Sequence, residues 1–336
     1  MGGIAVSVVT KNKEDEKTLR DFLGTQTQAA GLEGFRNGNL ARLNQVQRIA
    51  QSPSQRLMFV DRKGEGSETT GDPGLYSQPA FSPDGARVAA VLTDRESGIS
   101  HIWIYNTAGG PGRALTSGEE SDSAPVWSPD GKQIAWVRND SDAYALYRSP
   151  ADGSGQPELI YKHKTGAALF LTDWSSNDLL CFWTGESKSL YVLPLKGDRK
   201  PIDLFLGRGG RISPDGHLIA YSLDEGGSNH TFVRELNLSN PNRPAIRVHK
   251  DITLGGGVWR ADGKALLFLS LAGLQVSGIW QAEITESPEL AAGAPELLFR
   301  PKGIGGPAQL SSFATADLNR FATIMPIPNP SGAEKR

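Results

Sequence analysis

The chain has 336 residues and a formal net charge of −2, with 35 Lys and Arg set against 37 Asp and Glu. That balance offers no bulk attraction to nucleic acid or to an anionic membrane, and no apolar run reaches the length of a membrane helix. One cysteine, Cys181, excludes an internal disulfide, while 39 glycines and 21 prolines supply many tight turns.

Residues 1–55 read as an N-terminal extension, partly helical and otherwise irregular. Leu19, Phe22 and Leu23 fall at helical spacing in a polar stretch, which predicts one short amphipathic helix from Glu14 to Leu23 stopped by Gly24. Met1 to Lys13 lack an apolar run followed by a small-residue cleavage site, so no signal peptide is read there.

From residue 56 the chain repeats itself. An aromatic or aliphatic residue leads into a polar turn in Phe81-Ser-Pro-Asp-Gly85, Trp127-Ser-Pro-Asp-Gly131, Trp174-Ser-Ser-Asn-Asp178, Ile212-Ser-Pro-Asp-Gly216 and Trp259-Arg-Ala-Asp-Gly263. A degraded sixth copy spans Phe313 to Leu318. The turn chemistry is that of a hairpin: Pro presets φ, Asp bonds to nearby backbone and Gly accepts positive φ.

After each turn comes an alternating apolar strand: Arg87–Leu92, Gln133–Arg138, Leu179–Thr184, Leu218–Leu223 and Ala265–Ser270. Third strands with aromatics follow at His101–Asn106, Ala145–Arg148, Ser189–Leu195, Thr231–Leu236 and Gly278–Ile284. Weaker fourth strands end each unit at Arg113–Thr116, Glu158–Tyr161, Ile202–Leu206, Ile246–His249 and Glu296–Phe299. Four short strands per roughly 40–45 residues is the period of a β-propeller blade.

The expected fold is therefore all-β, a six-bladed β-propeller of four-stranded antiparallel blades over residues 56–327. Gln309–Ala314 and Arg320–Pro326 read as first and second strands with no third or fourth after them. Arg56–Arg62 and Ser67–Thr70 supply the missing pair, so strands from the two ends share one blade and close the ring. Residues 328–336 are a polar tail expected to be disordered.

The Ser-Pro-Asp-Gly turns, each after an aromatic or aliphatic residue and before a short strand, resemble the TolB-type propeller repeats. The strand Leu57-Met-Phe-Val-Asp-Arg62 followed by Pro73 to Gly85 is similar to bacterial propellers of this type that lie C-terminal to a serine/threonine kinase domain. The resemblance implies a binding or sensing propeller. The third, fifth and sixth copies depart from it by losing Pro, Gly or both. The chain itself has no His-Arg-Asp loop, no Asp-Phe-Gly and no Gly-rich loop with a strand lysine, so it is not a kinase.

No catalytic signature stands out. Gly-x-Ser-x-Gly, His-Glu-x-x-His, Cys-x-x-Cys and the phosphate-loop pattern are all missing. Cys181 lies in an apolar strand and reads as a small core residue. Asp84, Asp130, Asp215 and Asp262 read as hairpin residues in preference to calcium ligands. His101, His163, His217, His230 and His249 are scattered over different strand positions and do not suggest a shared ion, so no metal and no cofactor are expected. Trp127, Trp174 and Trp259 hold equivalent positions and should pack between blades.

Function is expected in the loops and strand starts around one mouth of the channel, where the innermost strands begin. Tyr76, Ser77, Asp122, Thr172, Arg208, Arg211 and Gln309 lie there, a mixture suited to a polar ligand or a peptide end. The leading expectation is a non-catalytic binding propeller with a protein or peptide partner, or a small polar ligand, and without nucleic acid or membrane insertion. The TolB resemblance also leaves a metal-dependent uronate lyase or hydrolase, and a detached sensor of a kinase or Tol-Pal-like system, as alternatives. It implies a periplasmic or extracytoplasmic site if the chain is a fragment, and a cytoplasmic one otherwise.

Overall fold

The computed structural model describes residues 52–63, 65–140, 143–163, 167–249, 253–272, 275–300 and 319–326. The expected N-terminal helix, the strand at 309–314 and the tail lie outside them. The chain divides into two compact units, Met1–Ser52 with Arg95–Gly98, and Pro53–Asp94 with Ile99–Arg336. In the first, Arg95 Nη1 donates to the Ser52 carbonyl at 2.8 Å. The strands all belong to the second.

In chain order they are β1 (Gln55–Asp61), β2 (Gly66–Phe81), β3 (Arg87–Thr93), β4 (Ser100–Asn106) and β5 (Arg113–Ala114). Next come β6 (Ser121–Trp127), β7 (Gln133–Asp140), β8 (Ala143–Pro150), β9 (Glu158–Lys162), β10 (Leu169–Trp174), β11 (Leu179–Thr184), β12 (Ser189–Pro194) and β13 (Ile202–Leu206). The remainder are β14 (Arg208–Ile212), β15 (Leu218–Glu225), β16 (Ser228–Glu235), β17 (Ala245–Arg247), β18 (Thr253–Trp259), β19 (Ala265–Ala272), β20 (Gln275–Thr285), β21 (Ala291–Ala292), β22 (Glu296–Phe299) and β23 (Arg320–Pro326).

Three sheets are simple antiparallel meanders, β6-β7-β8-β9, β10-β11-β12-β13 and β14-β15-β16-β17. A fourth runs β18-β19-β20-β21, with β22 also on β20. The described residues thus form five sheets where the sequence predicts six, because the last is six-stranded, β23-β1-β2-β3-β4-β5. The reason is local. β2 runs without a break from its pairing with β1 (Leu57 opposite Thr70, Phe59 opposite Ser67) to its pairing with β3 (Phe81 opposite Val88), and so joins two sets of strands. β1 pairs antiparallel with β23 from Gln55 opposite Pro326 to Asp61 opposite Arg320, the expected union of strands from the two ends.

The turns form as their chemistry dictates. Ser128 Oγ donates to Asp130 at 2.6 Å, the amide of Lys132 donates to the same carboxylate at 3.0 Å, and Gly131 takes φ +67°. Ser82 with Asp84 and Ser213 with Asp215 repeat the arrangement. In the third copy, which lacks glycine, Asp178 occupies the left-handed position at φ +57°, a conformation that Asp tolerates better than most side chains.

The alternation expected of the second strands is absent, because each is buried on both faces. Along β7, Ile134 and Trp136 pack towards β3 and β4, while Ala135 and Val137 pack towards β10 and β11. Leu218 and Ala220 likewise part from Ile219 and Tyr221 in β15, as do Leu266 and Phe268 from Leu267 and Leu269 in β19. A sheet sandwiched between two others reads as a continuous apolar run. At the closing end, Leu57, Phe59 and Ile324 pack on β2–β4, while Phe321 packs against Leu267, Ile279 and Phe299. The β1–β23 pair therefore has apolar partners on both sides.

Candidate functional site

The innermost strands β2, β6, β10, β14 and β18 lie side by side, and the hydrogen bonds between them join repeat positions that are equivalent or one residue apart. Ala124 N donates to Gln78 Oε1 at 2.6 Å, Thr172 Oγ1 to the Gly210 carbonyl at 2.8 Å, and Ile212 N to Asp173 Oδ2 at 2.7 Å. Equivalent positions meet only if these strands run the same way, so all of them begin at one end of the unit and reach their turns at the other. Each also loses register once against the strand that follows it, between Ser77 and Ala80, Ser123 and Val126, Leu171 and Asp173, Arg208 and Arg211, and Leu254 and Val258. Such bulges re-aim side chains.

The residues expected at the mouth have different fates. Asp122 is fully buried and accepts Nε and Nη2 of Arg138 at 2.8 and 2.9 Å and Nε1 of Trp136 at 3.0 Å. Its charge is spent inside its own sheet, and it meets neither Arg208 nor Arg211. Tyr76 is buried, with its hydroxyl donating to the Asp72 carbonyl and accepting from Tyr105 at 3.3 Å. Ser77 is half-buried opposite Val91, and Thr172 is buried in its bond to Gly210. Gln309 lies outside the described residues.

Thr172, Arg208 and Arg211 are brought together on the adjoining strands β10 and β14. Arg211 Nη1 stands 3.9 Å from Asp173 Oδ1, in the space between these strands. Burial pushes the Asp173 carboxyl above its ordinary value, against the pull of Arg211, and lowers Arg211. Arg208, by contrast, has no carboxylate within ion-pair distance among the described residues, and its guanidinium lies 5.4 Å from the Trp183 ring.

Trp183 in turn stacks on Phe170, with centroids 4.0 Å apart and planes 11° from parallel. Phe170 remains 38% exposed. This aromatic pair is the part of the site that sequence reasoning missed. The pairing of Phe170 with Trp183 across β10 and β11 needs a register that the bulge at Leu171–Asp173 obscures. An exposed ring beside an unneutralised guanidinium can hold an apolar or aromatic group and an anionic oxygen together. Among the described residues no three His, Cys, Asp or Glu side chains stand close enough to share a metal ion, and no helix is long and apolar enough to cross a membrane.

Antiparallel sheets set side by side with their first strands innermost define a β-propeller. No family model and no curated protein matches the chain. Among solved structures it is similar to a protein provisionally assigned as TolB from Agrobacterium tumefaciens, at 18% identity and a TM-score of 0.64, covering 83% of this chain and 100% of that one. It is also similar to TolB from Acinetobacter baumannii (15%, TM-score 0.52, 74% of this chain and 67% of that one). A puromycin-hydrolyzing peptidase from Mycobacterium tuberculosis matches at 17% and 0.50 over 75% of this chain, but over only 43% of its own length. Identities this low establish the fold alone, a propeller like that of the TolB structures.

Proposed function

We propose that this chain is a six-bladed, non-catalytic binding propeller that holds a protein or peptide partner where its innermost strands begin. The blade count rests on six apolar clusters, each between two successive sets of strands, with β23, β1 and the first part of β2 as three strands of the sixth blade.

One observation carries the binding reading: among the described residues Arg208 lacks a carboxylate partner beside the exposed Phe170–Trp183 stack. The chemistry favours a peptide that presents a carboxylate near an aromatic or bulky apolar side chain. Selection from a displayed peptide library tests it. Enriched peptides should share that pairing and bind Arg208→Ala and Phe170→Ala about tenfold more weakly, as loss of a charge-assisted bond or a ring contact would give. Selected peptides that bind both variants as they bind the parent chain would overturn the reading.

A further inference from the structure

At the other end of the unit, where the Ser-Pro-Asp-Gly turns lie, a cavity of about 590 Å³ is lined by the second repeat and by Arg87 of the first. That volume is within the roughly 300–1,000 Å³ of ordinary ligand sites. An innermost strand of five to seven residues separates it from Arg208 and Phe170, a span of about 20 Å.

Its walls carry more cation than anion. Arg87 enters from the first repeat, and Lys132 and Arg148 from the second, against the carboxylates of Asp152 and Glu158. Glu158 is already countered twice, at one oxygen by Arg148 at 2.7 Å and at the other by Arg199 at 2.6 Å. Asp152 accepts the amide and hydroxyl of Ser154. The carboxylates nearest the other two cations, Asp84 and Asp130, are engaged by Ser82 and Ser128 and by turn amides, and neither lines the cavity. Arg87 and Lys132 form no ion pair among the described residues.

Arg87 is also held in place. Its guanidinium lies 4.7 Å over the Trp127 ring and Nη2 donates to the Gly131 carbonyl at 2.9 Å. Its other N–H groups have no hydrogen-bond partner among the described residues, and a guanidinium fixed in this way loses little freedom when it meets a ligand. Lys132, next to Gly131 and exposed, supplies a second charge. Ser149 and Gln133 add neutral polar groups on the same wall.

We propose that this cavity is a second binding site, which takes a small multivalent anion bearing carboxylate or phosphate groups. Two cations from two repeats, neither in ion-pair contact with a carboxylate among the described residues, face one space, so a single-charge ion would answer only one of them. A multivalent anion bridges Arg87 and Lys132 and ties the first sheet to the second. The site stands independently of the mouth.

Calorimetric titration of the full chain at constant ionic strength tests this, with citrate and pyrophosphate as probes and acetate as the single-charge control. Saturable heat is expected for at least one multivalent probe and not for acetate, and the probe that binds identifies the group. Lys132→Gln should weaken binding by about tenfold, the loss of one charge-assisted contact, while leaving the ligand-free melting temperature unchanged. Lys200→Gln, an exposed cation paired with Asp198 and outside the cavity, should leave binding unchanged. Absence of saturable heat from both probes overturns the proposal. So does equal weakening by Lys132→Gln and Lys200→Gln, which would show diffuse surface attraction.

Discussion

Trp127 Nε1 donates to the carbonyl of Ala80 at 2.9 Å, a bond from the end of one innermost strand to the end of the one before it. Trp259 repeats the bond to the Arg211 carbonyl at the same distance. Trp174, at the equivalent place and equally buried, has an Nε1 with no hydrogen-bond partner among the described residues.

The three tryptophans should therefore respond differently to replacement by phenylalanine. Trp127→Phe and Trp259→Phe remove a donor from a buried carbonyl, a loss of about 1–3 kcal/mol in addition to the smaller ring. Trp174→Phe removes an indole N–H that is already unpaired and should cost clearly less. Urea unfolding of the three variants gives the order, and a Trp174 variant as destabilised as the others would contradict it.

Much of this architecture was legible in the residues. β11, β13 and β22 have the bounds that the sequence predicts, because turn residues flank each apolar run on both sides. The third turn was legible as well, since Asp can stand where Gly stands elsewhere. What could not be read was which polar groups would meet. Asp122 finds Arg138 only through the register of β6 on β7, which pairs these two residues directly. The mouth could be placed along the chain, but its exposed ring and unpaired guanidinium depend on bulges, whose position no local pattern announces.

The Asp122–Arg138 pair leads to a second prediction. Asp122→Ala leaves the half-covered Arg138 guanidinium and the buried Trp136 N–H without their acceptor. Removing one partner of a buried pair typically costs about 3–5 kcal/mol. Thermal melting should drop sharply, and more than for Arg208→Ala, whose side chain has no ion pair to lose. Similar melting temperatures for the two variants would show that the pair contributes little.

A third concerns acid. Hydrogen bonds from Ser82 and the Ala86 amide hold the Asp84 carboxyl below its ordinary value, and those from Ser128 and the Lys132 amide do the same for Asp130. A depressed folded-state pKa contributes stability that is present above the unfolded value of about 3.9 and is lost as pH falls through the folded one. Both groups are exposed, so each effect is small. The Asp84→Asn, Asp130→Asn double variant should lose less stability than the parent chain on acidification below about pH 4. Parallel curves of melting temperature against pH would remove these turns from the acid response.

Ring closure links sequence to stability most directly. β1 is the only described partner of β23, over seven consecutive residue pairs, and it carries Leu57 and Phe59, which are almost wholly buried. Deleting residues 1–66 removes that strand. It uncovers Phe321 and Ile324, leaves the ladder edge of β23 open, and takes one wall from the clusters on both sides. Two large side chains alone account for roughly 3–6 kcal/mol of burial, a sizeable share of a domain's margin of about 5–15 kcal/mol. Deleting only residues 1–50 leaves every described strand in place. The longer truncation should therefore melt far lower and aggregate, through its unpaired edge, under conditions where the shorter one stays monodisperse. Scanning calorimetry with light scattering on both truncations compares them directly. Equal melting temperatures would mean that the β1–β23 pairing does not hold the ring shut, and the proposed six-blade count would fall with it.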